Sequence, residues 1–113
     1  MRLYTPSRTV AWEGRASVVF RDSWGAREAL DEPVRLSVVA LFPRPKRMMW
    51  KTRPMPRVPF ASRPDASNVL KAVEDALEKA GCYRDDKLIW SSSIEAFYCS
   101  GSETPLVRAC IEW

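Results

Sequence analysis

Apolar residues first recur at the spacing of one helix face: Trp12, Ala16, Val19, Phe20 and Trp24 mark a helix over residues 5–24. Thr5 suits its N-cap, Pro6 its first helical position and Gly25 its stop. The period then shortens. Val34, Leu36, Val38 and Ala40 alternate, and Val39 and Leu41 add apolar groups to the other face, as in a central strand over residues 33–42. A second helical stripe, Val69, Val73, Ala76, Leu77 and Ala80, predicts a helix over Ser67–Ala80 that Gly81 ends. Asn68, Lys71 and Asp75 fall together on its opposite side. Residues 87–98 and 105–113 read as strands, with Gly101 and Pro105 bracketing a turn. The strand–helix–strand run from 33 to 98 is a right-handed parallel crossover. The last two strands read as an antiparallel hairpin. The expected fold is a small single α+β domain over residues 1–113, in the order α-β-α-β-β, with a mixed sheet packed by two helices.

Residues 43–60 break the pattern. Five prolines exclude a helix or a central strand, so the segment reads as a flexible, basic, Pro-rich loop. Residues 43–63 carry Arg44, Lys46, Arg47, Lys51, Arg53, Arg57 and Arg63 and no acid. Cations mixed with Trp50 suit phosphate contact and base stacking, and equally suit a plain solvated loop.

Composition narrows the chemistry. At 113 residues, 46% apolar and 28% charged, the chain has the make-up of a globular domain with one modest core. It has no histidine, which excludes Ser-His-Asp and Cys-His nucleophiles, His-ligated zinc and a His general acid. Cys82, Cys99 and Cys110 lack metal-ligand spacing and read as free thiols of a cytoplasmic protein. The start shows no apolar signal-peptide core, and no run is long enough for a membrane span. A net charge of +4 is by itself weak support for a nucleic-acid partner; its concentration in residues 43–63 is stronger.

The carboxylates are the candidate chemistry. Asp65 follows Pro64 where the chain enters the second helix, and Asp86, second of the Asp85–Asp86 pair, comes 21 residues later. Carboxylates gathered from separate elements suit a hard cation such as Mg²⁺, and a basic chain around them suits work on a phosphodiester. A crossover helix of 14 residues is about 21 Å long, which sets the helix start and the next strand start at opposite ends. Three resolutions are open. The loop Gly81–Arg84 brings Asp86 back beside Asp65, a second subunit supplies it, or the topology differs. Each residue also has a plainer role: Asp65 as an N-cap, Asp85–Asp86 as a solvated turn, and Lys71 as the i,i+4 partner of Asp75, worth about 0.3 kcal/mol.

These residues resemble the RusA-like family of Holliday junction resolvases, small phage-type and bacterial endonucleases of DNA recombination and repair. The family pattern is Pro-Asp-x-Asp-Asn, a Lys three residues after the Asn, Asp-Ala-Leu in mid-helix, and Asp-Asp at the next strand. Here it is matched by Pro64-Asp65, Asn68, Lys71, Asp75-Ala76-Leu77 and Asp85-Asp86, and Tyr4-Thr5-Pro6 resembles the segment before the family's first helix. The resemblance implies a dimeric α+β nuclease that holds Mg²⁺, or Mn²⁺, on acidic residues and nicks two strands of a four-way DNA junction symmetrically. Carried over, Asp65 and Asp86 are metal ligands, with Asp85 and Ser67 as further donors, and Lys71 assists at the scissile phosphate. The expected partners are branched double-stranded DNA, gripped by the basic segment, and a second copy of the chain, with no membrane involved.

Three departures qualify the resemblance. The family's second motif acid is Ser67 here, a neutral and poorer ligand for a hard dication. A lysine that the family often carries in the strand after the acidic pair is replaced near Glu95-Ala96-Phe97. The family's strand before Tyr-Thr-Pro is missing or lost by truncation. Two alternatives follow: a catalytically weakened DNA-binding relative of the same fold, and a small oligomeric interaction scaffold, which the five tryptophans would suit.

Overall fold

The computed structural model describes residues 7–50, 53–62 and 65–113, with side chains from residue 12 onward. Tyr4, the expected cap Thr5 and Pro6, together with Lys51, Arg63 and Pro64, lie outside the described residues. The elements are α1 (Ser7–Trp24), β1 (Val34–Phe42), β2 (Val58–Pro59), α2 (Ala66–Lys79), β3 (Ile89–Tyr98) and β4 (Leu106–Glu112), with 3₁₀ turns at Lys46–Met48 and Asp86–Leu88. Two helices cover one face of a four-stranded mixed sheet of order β2-β3-β1-β4, an α+β domain.

β1 is the centre, as its apolar pattern requires. Val34, Leu36, Val38 and Ala40 are buried on the helix side, and Leu41 is buried on the other. It pairs in parallel with β3, from Val34↔Ile89 to Phe42↔Tyr98, so the crossover through α2 is parallel as expected. The hairpin expected of the last two strands does not form. β4 pairs antiparallel with β1, from Arg35↔Glu112 to Leu41↔Leu106, on the side away from β3. The reason lies in the proline-rich segment. Its end, β2, takes the outer edge of β3 at Tyr98 and Phe97, so the chain leaving β3 crosses the end of β1, where the Cys99 amide donates to the Phe42 carbonyl at 2.9 Å. Pro59 is tolerated because β2 is an edge strand, where a missing amide costs no ladder bond.

The core joins Leu36 and Val38 to Val73, Leu77, Ala80, Cys82 and Tyr83, with Trp12, Phe20 and Trp24 packed on it from α1. On α2 the buried stripe is Ala72, Val73, Ala76 and Leu77; Val69, which the spacing also assigns to it, is only half-buried. On α1, Glu13 and Ser17 are buried and Val19 is 61% exposed, so the buried face is rotated from the one the hydrophobic spacing selects. The Glu13 carboxylate faces Lys79 Nζ at 3.5 Å and Arg21 donates to the Lys79 carbonyl at 3.2 Å. Polar cross-links between the helices therefore set that rotation against the pull of Val19.

Candidate functional site

α2 ends in a way that determines where Asp86 goes. Gly81 sits at φ +80°, its amide donates to the Glu78 carbonyl at 3.0 Å, and the Cys82 amide donates to the Leu77 carbonyl at 3.1 Å. This paired C-terminal cap turns the chain back on its helix. Tyr83 is then buried and its hydroxyl donates to the Glu74 carbonyl at 2.5 Å. Burial, with Glu74 and Glu78 nearby, pushes the Tyr83 pKa up, so it stays a hydroxyl donor. Leu30 locks the return by bonding both Cys82 and Arg84.

The two aspartates that follow divide in role. The Asp85 carboxylate accepts from the Lys87 amide at 2.9 Å, and that bond holds its pKa down. Asp85 thus does the turn work expected of the pair. Asp86 faces α2. Its Oδ2 accepts from Lys71 Nζ at 3.2 Å, and Lys71 Nζ also lies 3.3 Å from Asp75 Oδ1. The Asp86 hydrogen bond and then Asp75 raise the lysine pKa, keeping the ammonium charged through neutral pH. Such half-exposed pairs are worth about 0–1 kcal/mol each, so they position charge more than they stabilise the fold.

Asp75, Glu78 and Asp86 each offer a carboxylate oxygen within 4.8 Å of the other two. Two ligands of one Mg²⁺ lie at most about 4.2 Å apart, given metal–oxygen distances near 2.1 Å. Small side-chain rotations therefore bring this all-oxygen set to a hard divalent cation, and the donor chemistry fits. A single lysine against three acids leaves the group net anionic.

Asp65 lies elsewhere on the same helix. It is the N-cap residue, and its carbonyl accepts from the Val69 amide at 3.0 Å, but its side chain makes no cap hydrogen bond and is exposed. Six residues of helix place it about 9 Å along the axis from Lys71. Ser67 is exposed in the first turn. The return of the chain thus sets Asp86 beside Lys71 in the middle of α2, and beside two acids. The sequence reading treats Asp75 as a partner of Lys71 and as part of the Asp-Ala-Leu motif, not as a metal donor, and passes over Glu78. Their i,i+3 spacing is legible, but its meaning depends on the turn after Gly81.

The basic segment also divides. Arg44 is committed to the protein: Nε donates to the Met48 carbonyl at 2.7 Å, and Nη1 to the carbonyls of Pro56 at 2.7 Å and Cys99 at 3.1 Å. Arg57 is clamped by Glu103 through contacts of 2.6 to 3.0 Å. Lys46, Arg47 and Arg53 are exposed, with Arg53 stacked on Trp50 at 4.3 Å from the ring centre. The segment is further tied by the Phe60 and Gly101 amides, donating to Ala96 and Met55 carbonyls at 2.9 Å, and by Phe60 stacked on Phe42 at 3.9 Å.

A lysine held among carboxylates, in a chain that also presents exposed cations on a separate segment, belongs to the class of sites that handle phosphate esters with a cation's help. The family comparison places the chain within that class. It belongs to the RusA family: the family model described as endodeoxyribonuclease RusA matches residues 1–108. The chain is accordingly a member of a DNA-cleaving enzyme family. No curated protein matches it. Among the described residues, no helix is long and apolar enough to cross a membrane.

Proposed function

We propose that the protein is a divalent-cation-dependent, structure-specific endonuclease that resolves four-way DNA junctions by paired nicks, working as a homodimer. The observation that carries the reading is Lys71 Nζ, 3.2 Å from Asp86 and 3.3 Å from Asp75, at positions that match the family motif. When bound, Mg²⁺, or Mn²⁺ in its place, supplies an activated water and neutralises charge on the phosphate. Asp86 is the ligand we assign to it, with Asp75 and Glu78 as anionic donors beside it; Asp65, about 9 Å along α2 from Lys71, is assigned to the same ion through the second subunit of the dimer. Ser67 offers only a neutral hydroxyl, and Asp85 is engaged with the Lys87 amide. Lys71 carries its charge to the scissile phosphate and stabilises the negative charge that develops there. Lys46, Arg47 and Arg53, with Lys51 and Arg63 of the same segment, grip phosphates away from the cut; Arg44 and Arg57 hold the segment in shape. Two cuts related by the two-fold of a junction require two copies of the site, hence the homodimer.

Ser67 at the position of the family's second acid favours one other reading, a relative that binds junctions but cuts them poorly. A labelled four-way junction and a linear duplex of the same sequence, incubated with and without Mg²⁺ or Mn²⁺, separate the two. The nuclease cuts the junction on two opposed strands only with metal and leaves the duplex intact. A protein that shifts the junction in a gel and never cuts it, at any metal concentration, is the binder.

A further inference from the structure

Of the five tryptophans, four are accounted for by packing. Trp12 and Trp24 pack on the core, and Trp113 meets Trp24 edge-on at 5.7 Å. Trp50 is occupied. The Arg44 and Arg53 guanidinium carbons lie 4.9 and 4.3 Å from its ring centre, and its indole N–H donates to the Pro54 carbonyl at 3.0 Å. Trp90 is left. It is 62% exposed, and among the described residues the one group stacked on it is the Arg35 guanidinium, 4.9 Å from its ring centre.

The backbone holds this ring out. Along the parallel ladder Val34 pairs with Ile89 and Arg35 with Ser91, so Trp90 is an extra residue between two paired positions. A bulge of this kind re-aims a side chain, here onto Arg35. Arg35 alternates with buried Val34 and Leu36 and so lies on the face of the sheet away from the helices. Among the described residues it forms no ion pair, although Glu112 is its ladder partner on β4. Lys87, Ser92 and Ser93, close to Trp90 along the chain, are exposed as well. A flat aromatic face backed by a guanidinium and flanked by an ammonium and hydroxyls suits a nucleotide: the ring stacks on the base and the polar groups meet phosphate.

Position decides which base. Trp90 is four residues from Asp86, a Cα separation of at most about 14 Å, or about four stacked nucleotides. Asp86 faces α2, whereas Trp90 lies with Arg35 on the other side of the sheet. A DNA strand that touches both must turn round the start of β3. Duplex DNA, stiff over about 50 nm, does not make that turn; a strand unstacked at a branch point does.

We propose that Trp90, backed by Arg35, is a stacking platform for an unpaired nucleobase within a few nucleotides of the cut, and that it helps the protein select branched over linear DNA. The inference rests on the nuclease reading above and adds to it a residue that holds the substrate strand.

The test uses the native protein and four-way junctions that carry 2-aminopurine at successive positions on either side of the branch point, without metal so that nothing is cut. Stacking dims this base. At one position the complex of Trp90→Ala should therefore be brighter than that of the parent, and Trp90→Phe, which keeps a ring, should stay dim. Trp90→Ala should also bind the junction about tenfold more weakly, and Arg35→Gln about threefold. For Trp90→Ala the affinity for linear duplex and the log–log salt slope should not change, because no charge is removed. Equal brightness at every position, junction binding as tight as the parent's, or an equal loss on linear duplex overturns the proposal. Cutting in Mg²⁺, measured with the same variants, keeps the two readings apart. A parent that never cuts ends the nuclease reading, while brightness and affinity still decide whether Trp90 stacks on a base.

Discussion

Lys71 and Asp86 are the residues on which the proposed chemistry turns, and their neighbours decide what each substitution does. Lys71→Gln removes the charge aimed at the scissile phosphate while leaving the acids in place. Cutting should fall about 100-fold in single-turnover rate, with junction affinity within a few-fold of the parent. Ser67→Asp adds a hard anionic donor in the first turn of α2, so the Mg²⁺ concentration for half-maximal cutting should drop; an unchanged metal requirement means Ser67 lies off the site. At this scale the sequence was partly legible. The motif positions of Asp65, Lys71 and Asp86 could be read, but the separation of Asp85 from Asp86 could not. That separation rests on one backbone bond, from Lys87 to the Asp85 carboxylate, which spacing does not reveal.

At the scale of elements, the turn from α2 into β3 and the proline-rich segment are the devices that place the site. Tyr83→Phe removes the hydroxyl that ties the turn to the Glu74 carbonyl. The expected loss is about 1 kcal/mol of stability, measured by urea denaturation, with a slower cutting rate because Asp86 is carried on that turn. The clamp between Arg57 and Glu103 is a separate, pH-sensitive tie. The Arg57 hydrogen bonds, and then the Ser100 amide, hold the Glu103 pKa at about 2, below its ordinary 4.5. A lowered carboxylate pKa contributes stability that is present above pH 4.5 and lost as the pH falls toward about 2. Hydrogen exchange at the Gly101 and Phe60 amides should therefore speed up over that acid range in the parent, and be fast already at neutral pH in Glu103→Gln. The exposed cations of the same segment carry the DNA expectation. Replacing Lys46, Arg47 and Lys51 together should flatten the log–log salt dependence of junction binding by up to about three units, and an unchanged slope removes them from the interface. Helix and strand positions followed from periodicity and from the glycine stops. The side of β1 on which β4 lands did not, because it depends on β2 occupying the edge of β3, a two-residue pairing inside a stretch whose prolines hide it.

For the molecule as a whole, the fold gathers its chemistry on the side of α2 that faces neither the core nor the sheet. The parallel crossover fixes β3 beside β1, the cap at Gly81 reverses the chain, and an acid from the start of β3 meets a lysine from mid-helix. The expected conflict between a helix start and the following strand start concerned Asp65 and Asp86; the reversal carries Asp86 as far as Lys71, six residues short of Asp65. The central claim, that Asp86 is a ligand of a catalytic divalent cation, is tested most directly by measuring junction binding and junction cutting together for Asp86→Asn in Mg²⁺. Removing one anionic ligand should cut the rate by at least about 100-fold, while binding stays equal or tightens because a negative charge near the phosphates is gone. If Asp86→Asn cuts the four-way junction as fast as the parent, Asp86 belongs to a solvated turn, and the metal site assigned to it is wrong.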